Sequence, residues 1–267
     1  MAAANGKRPR PLSDAHLGRL LELTKEADSV ELKLTVVDSE IRPAVAALGM
    51  DPLDAQIRQA YFFDTPDLTL DRHGVVVRAR RIQGKGDDSV VKLRPVVPAD
   101  LPAELRRSPN VNVEVDAMPG GYVCSASLKG RPAPGAIQAA AAGTLPLRKL
   151  FTKEQRAFFA EHAPDGVKLD DLTVMGPLTL FKLKFSPEGL DQRLVAELWL
   201  YPNATRILEL STKCAPAVAF QVAAETRAWL AARGIDLTGV QQTKTRAALT
   251  YFSRALEQRS ELETSAS

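Results

Sequence analysis

Apolar and polar residues alternate with period two through eight separate stretches of the chain, which predicts eight strands. In the first, residues 28–36, Val30, Leu32, Leu34 and Val36 alternate with Ser29, Glu31, Lys33 and Thr35. The others are 57–64, 74–82, 88–96, 111–117, 178–185, 193–201 and 205–213. GKGDD at 84–88 and YPNA at 201–204 have the composition of hairpin turns. Helical spacing covers residues 13–27, with Ser13 as the cap, and 39–48, closed by Gly49. Further helices are expected over 153–161, 216–233 and 242–258. Residues 118–146 are rich in Ala, Gly and Pro and read as an excursion, with a helical alanine cluster at 139–142.

Strands dominate, helices gather at the ends, and no βαβ rhythm is present, so the class expected is α+β around an antiparallel sheet. One domain over 13–258 is expected, with short tails at 1–12 and 259–267. The 267 residues are 45% hydrophobic and 25% charged, enough for a substantial core. No apolar run approaches the ~20 residues of a membrane span, and the basic N-terminal stretch lacks the apolar centre of a signal peptide. A cytoplasmic protein without membrane partners is therefore expected. A net charge of +3 does not announce sequence-specific nucleic-acid binding. Cys124 and Cys214 show no zinc spacing or disulfide framework, and the three histidines are scattered. GxSxG, Walker A and GxGxxG motifs are absent. Phe158, Phe159 and Trp229 read as core, and Asp170 with Asp171 as a turn.

The polar faces of the strands change this picture. Arg78 and Arg80 share a face, as do Lys92 with Arg94, and Lys182 with Lys184. Glu114 is flanked on its own face by Asn112 and Asp116; Glu197 lies between Ala196 and Leu198; Glu209, Ser211 and Lys213 alternate with Leu208, Leu210 and Thr212. A sheet that buries one face and wets the other gives the same alternation, and Lys182 and Lys184 fit either reading. Paired bases at i and i+2 on several strands are harder to place on a wet face, because like charges on adjacent strands repel. Around eight strands can close into a barrel that holds one small ligand. With the charged faces inward, the lumen would suit a polyanion, its carboxylates placed to hold Mg²⁺ or Mn²⁺.

The run YFFDTPDLTLDRHGVVVRAR at 61–80 resembles the motif of the CYTH superfamily, the triphosphate tunnel metalloenzymes. VVKLRP at 90–95 is similar to that family's next basic strand, and QTKTR at 242–246 to its late lysine segment. The resemblance spans roughly residues 29–250, with the middle excursion poorly matched. It implies an eight-stranded antiparallel β-barrel, the triphosphate tunnel, with flanking helices. It further implies a substrate carrying a triphosphate or polyphosphate, and divalent Mg²⁺ or Mn²⁺. On this basis Lys33 and Arg80 are candidate catalytic residues. Lys33, Arg78, Arg80, Lys92 and Lys244 are candidate phosphate ligands, joined from the face pattern by Arg94, Lys182, Lys184 and Lys213, and from the QTKTR segment by Arg246. Glu31, Glu114, Glu197 and Glu209 are the candidate metal ligands. Two family carboxylate positions are serine here, Ser29 and Ser211, which weakens the case for a second ion. The readings that follow are a metal-dependent triphosphate hydrolase, a non-catalytic polyphosphate or nucleotide binder, and a class IV-type adenylate cyclase. No adenine pocket is recognisable to favour the last, and the oligomeric state is not determined.

Overall fold

A computed structural model describes residues 14–236 and 243–265. Ser13, Gln242 and the tail at 1–12 lie outside the described residues. The helices are α1 (Asp14–Lys25), α2 (Ile41–Ala47), α3 (Thr69–Arg72), α4 (Ala103–Arg107), α5 (Ala136–Ala141), α6 (Lys153–His162), α7 (Ala219–Ala231) and α8 (Lys244–Ser265). The strands are β1 (Ser29–Val36), β2 (Gln56–Asp64), β3 (Val75–Ile82), β4 (Asp88–Leu93), β5 (Val111–Met118), β6 (Gly121–Gly130), β7 (Thr173–Phe185), β8 (Leu194–Leu200) and β9 (Arg206–Cys214). They form a closed barrel in the order β1-β5-β6-β4-β3-β2-β7-β8-β9.

Three expectations are corrected. The barrel has nine strands, not eight, because β6 arises inside the stretch 118–146 that reads as an excursion. On β6, Ser125 and Ser127 face one way and Cys124 and Ala126 the other, so the hydrophobic contrast between the two faces is small. The barrel is mixed, not purely antiparallel: β1 runs parallel to β5, with Ser29 opposite Glu114 and Glu31 opposite Asp116. The last helix continues to Ser265, past its expected end at Gln258. No helix among the described residues is long and apolar enough to cross a membrane.

The apolar strand faces point outward and are buried under helices. Val75, Val77, Val91 and Leu93 pack against Ile137 of α5 and Phe158 and Phe159 of α6. Leu34, Val36, Leu208 and Leu210 pack against α2 and against Trp229 and Leu230 of α7. Val30, Val113 and Val115 meet Leu20 and Leu23 of α1. Gln155 of α6, fully buried, fastens its helix to the barrel. Its amide nitrogen donates to the carbonyls of Ser89 (3.1 Å) and Leu128 (3.0 Å), and its oxygen accepts from the Ser89 hydroxyl (3.0 Å).

On the inner face, Ala60, Phe62, Leu178, Leu180 and Trp199 cluster with Ala248 and Leu249 of α8. This apolar plug fills the lumen on the β2–β7–β8 side and leaves the charged side chains the remainder. The motif at 61–80 has a local physical basis. Asp64 is buried and accepts from the backbone N–H groups of Thr65 (2.7 Å), Leu70 (2.8 Å) and Asp71 (3.0 Å), tying α3 to the end of β2. Gly74 then re-enters the barrel at φ +73°, and a Cβ there would lie 2.5 Å from the Arg94 carbonyl oxygen.

Candidate functional site

Strand register decides which side chains meet. Arg78 and Arg80 of β3 stand opposite Val90 and Asp88 of β4, and Lys92 stands opposite Ser127 of β6. Lys33 of β1 faces Ser211 of β9, and Glu197 of β8 faces both Lys182 and Glu209. The result is a lumen cavity of about 840 Å³. Every candidate proposed from the sequence lines it: Lys33, Arg78, Arg80, Lys92, Arg94, Lys182, Lys184, Lys213, Lys244 and Arg246, with Glu31, Glu114, Glu197 and Glu209. Lys182 and Lys184, which the sequence left open between lumen and solvent, both reach the cavity, Lys184 at its exposed rim. Arg246 also belongs to the rim, 3.7 Å from Asp71.

The charges sort into three groups. In the first, Asp116 is fully buried and faces Lys33 at 2.7 Å, Arg94 at 3.4 Å and Lys92 at 3.6 Å. Burial opposes its ionisation, but Lys92, Lys33 and Arg94 outweigh it and hold the carboxyl at about 2. Lys33 also meets Glu31 at 3.1 Å, and its ammonium is held above the usual lysine range because these carboxylates outweigh its burial. Lys92 shows the opposite balance: burial and its cationic neighbours Lys33 and Arg94 prevail over Asp116 and lower it. Glu31 is lowered, burial being outweighed chiefly by Lys33.

In the second group Lys244, from the first turn of α8, contacts Glu197 at 2.5 Å and Glu209 at 2.8 Å, with its ammonium 5.0 Å from the Trp199 ring centre. Lys182 contacts the other oxygen of Glu197 at 2.6 Å. Despite deep burial, these two lysines hold Glu197 well below the ordinary carboxylate range.

The third group is cationic. Arg80 is held by Asp88 through both its Nε and Nη2 atoms. Arg78 beside it has no ion pair among the described residues, and its Nε is buried without a hydrogen-bond partner. Burial first, then Arg80, push its guanidinium down to about 10 against the pull of Asp88 and Glu197, with Arg58 adding least.

The candidate metal ligands divide between these groups. Glu31 and Glu114 come together with Asp116, each presenting an oxygen within 4.8 Å of the others. Glu197 and Glu209 hold Lys244 instead. Three hard oxygen donors fit one Mg²⁺- or Mn²⁺-type ion that keeps several waters. Lys33 already sits against two of these carboxylates, so an ion would compete with its ammonium. The two serines support this cluster: Ser29 donates to Glu114 at 3.2 Å, and Ser211 to Glu31 at 3.0 Å. Asp116 is the residue that sequence reasoning left out of the metal set. It lies two residues beyond Glu114, so the strand period places it on the same face. Its partnership with Glu31 depends on the parallel β1–β5 pairing, which local pattern does not encode.

Comparison of the sequence with protein-family models and with curated proteins found no match in either. Solved structures do match the fold. A candidate adenylate cyclase from Bacillus halodurans superposes with a TM-score of 0.56 at 14% identity, covering 82% of this chain and 97% of the other. A candidate adenylyl cyclase from Hippeastrum, with a dominant triphosphatase activity, gives a TM-score of 0.56 at 16% identity, covering 79% and 91%. At these identities the likeness is one of fold alone.

Proposed function

We propose that the lumen binds the triphosphate group of a small molecule, or inorganic tripolyphosphate, and that the chain hydrolyses it. The observation that carries this reading is Arg78, a half-buried arginine with a buried, unbonded Nε and no ion pair among the described residues, beside Arg80 in a cavity ringed by cations. A buried unpaired charge is costly, and a phosphate oxygen is the partner that would remove the cost. Arg78, Arg80, Lys92 and Arg94 would spread over the phosphate oxygens and stabilise charge as it develops, the main term in phosphoryl transfer. Lys33, between Glu31 and Asp116, would hold the chain's end nearest the carboxylates. A divalent ion on Glu31, Glu114 and Asp116 would supply further charge neutralisation there.

The test is a phosphate-release panel over tripolyphosphate, ATP and thiamine triphosphate, with and without Mn²⁺ or Mg²⁺. Release is expected from at least one substrate and abolished in Arg80→Ala; no release from any of them removes the hydrolase reading. The second reading is a binder without turnover. It is favoured by Ser29 and Ser211 at family carboxylate positions, and by the lysines that already occupy the remaining acids. It predicts strong metal-independent stabilisation by tripolyphosphate with no phosphate released.

A further inference from the structure

A second cavity lies behind the tunnel wall, between the outer faces of β1 and β9 and helix α7. Its volume is about 230 Å³, and Leu32, Leu34, Met118, Leu194, Leu210 and Leu230 form much of its lining. It exists because β1 changes partners: the pairing with β5 ends at Leu32 opposite Ala117, while β1 continues beside β9 to Val36. A wedge is left between β1 and the turn that follows Met118, and α7 roofs it.

Two polar features mark this apolar site. Thr226 of α7 lines it at 8% exposure, and its hydroxyl has no hydrogen-bond partner. A helical threonine ordinarily bonds back to the carbonyl one turn earlier, and an orphaned buried hydroxyl requires an explanation such as an absent ligand. Arg227, its neighbour, also lines the cavity, is exposed, and makes no ion pair or hydrogen bond among the described residues. An apolar chamber with a free guanidinium at its rim is complementary to an amphipathic anion.

We infer that this cavity binds a medium-chain monocarboxylate, its alkyl chain among the leucines and its carboxylate on Arg227. A cavity of about 150 Å³ accepts a six-carbon ring, so the larger volume here suits a chain of about eight carbons. The inner wall is the backbone of Lys33 and Ser211, whose side chains face the tunnel. The two sites therefore lie back to back.

The experiment is calorimetric titration of the full chain with octanoate, hexanoate and octanol, with saturating tripolyphosphate present to occupy the tunnel. Octanoate is expected to bind under these conditions and to exceed hexanoate by about fourfold per methylene. Arg227→Gln should weaken octanoate about tenfold while leaving octanol unchanged. Ala223→Phe, which fills the cavity, should abolish binding of both without altering tripolyphosphate affinity. On the unmutated protein, octanoate should shift the Met118 methyl resonance. The inference is overturned by an absence of octanoate binding at millimolar concentration, or by an unmoved Met118 methyl. It is equally overturned if tripolyphosphate displaces octanoate, since the carboxylate would then sit in the tunnel.

Discussion

Replacing Arg78 by methionine should raise the melting temperature of the free protein and remove most of its response to tripolyphosphate. The arginine side chain lines the lumen wall half-buried, its Nε is buried and unbonded, it has no ion pair among the described residues, and its guanidinium is pushed down to about 10. A drop of that size corresponds to a penalty on the order of 3 kcal/mol. Because the folded value lies below the unfolded one, the penalty is fully present at pH 7 and fades only as pH rises past the folded value. Halving it for water in the cavity leaves roughly 1–2 kcal/mol. At about 2–4 °C per kcal/mol for a domain of this size, Arg78→Met should melt ~2–8 °C higher. Tripolyphosphate at a hundred times its dissociation constant should stabilise the wild type by about 2.7 kcal/mol. The variant lacks a charge-assisted contact of about 1.5–3 kcal/mol and should bind ~10–100-fold more weakly. Thermal melts of both proteins across a tripolyphosphate series measure both effects. A variant that melts lower than wild type without ligand, or keeps the full ligand shift, would refute the assignment of Arg78 as a phosphate ligand.

Three further outcomes are expected. Asp116→Asn leaves Lys33, Lys92 and Arg94 facing an uncharged group and should cost about 3–5 kcal/mol near neutral pH in urea melts. The Asp116 carboxyl sits at about 2 against an ordinary 3.8, so its stabilisation is full above 3.8 and lost as pH falls through 2. The gap between variant and wild type should therefore narrow by about 2 kcal/mol in acid. Gln155→Ala removes the buried amide that joins α6 to β4 and β6 and should cost about 2–4 kcal/mol by denaturant unfolding, with tripolyphosphate binding retained. Ser211→Glu places a fourth carboxylate beside Glu31 and should tighten Mn²⁺ binding by on the order of tenfold, read by calorimetry or electron paramagnetic resonance.

Much of the barrel was legible because its cause is local. Alternation at 28–36, 74–82 and 205–213 fixes which residues share a face, and burying the apolar face under helices leaves Lys33, Arg78, Arg80, Glu209 and Lys213 one direction to point. The motif at 61–80 was legible for the same reason, since the Asp64 cap and the Gly74 turn are built from neighbours in sequence. The strand β6 was not, because serine and alanine on its two faces leave the period with little amplitude.

What the amino-acid sequence determined by itself is therefore the set of charged faces and their sign. The tertiary structure alone decided how they meet. A strand's period says nothing about its partner or register, which arise from contacts between segments far apart in the chain. The parallel meeting of β1 with β5 joins Glu31 to Glu114 and Asp116. The arrival of α8 sends Lys244 between Glu197 and Glu209, which takes those two acids out of the metal cluster. Ser29 and Ser211, read from sequence as missing ligands, become the hydrogen-bond donors that orient the carboxylates that remain.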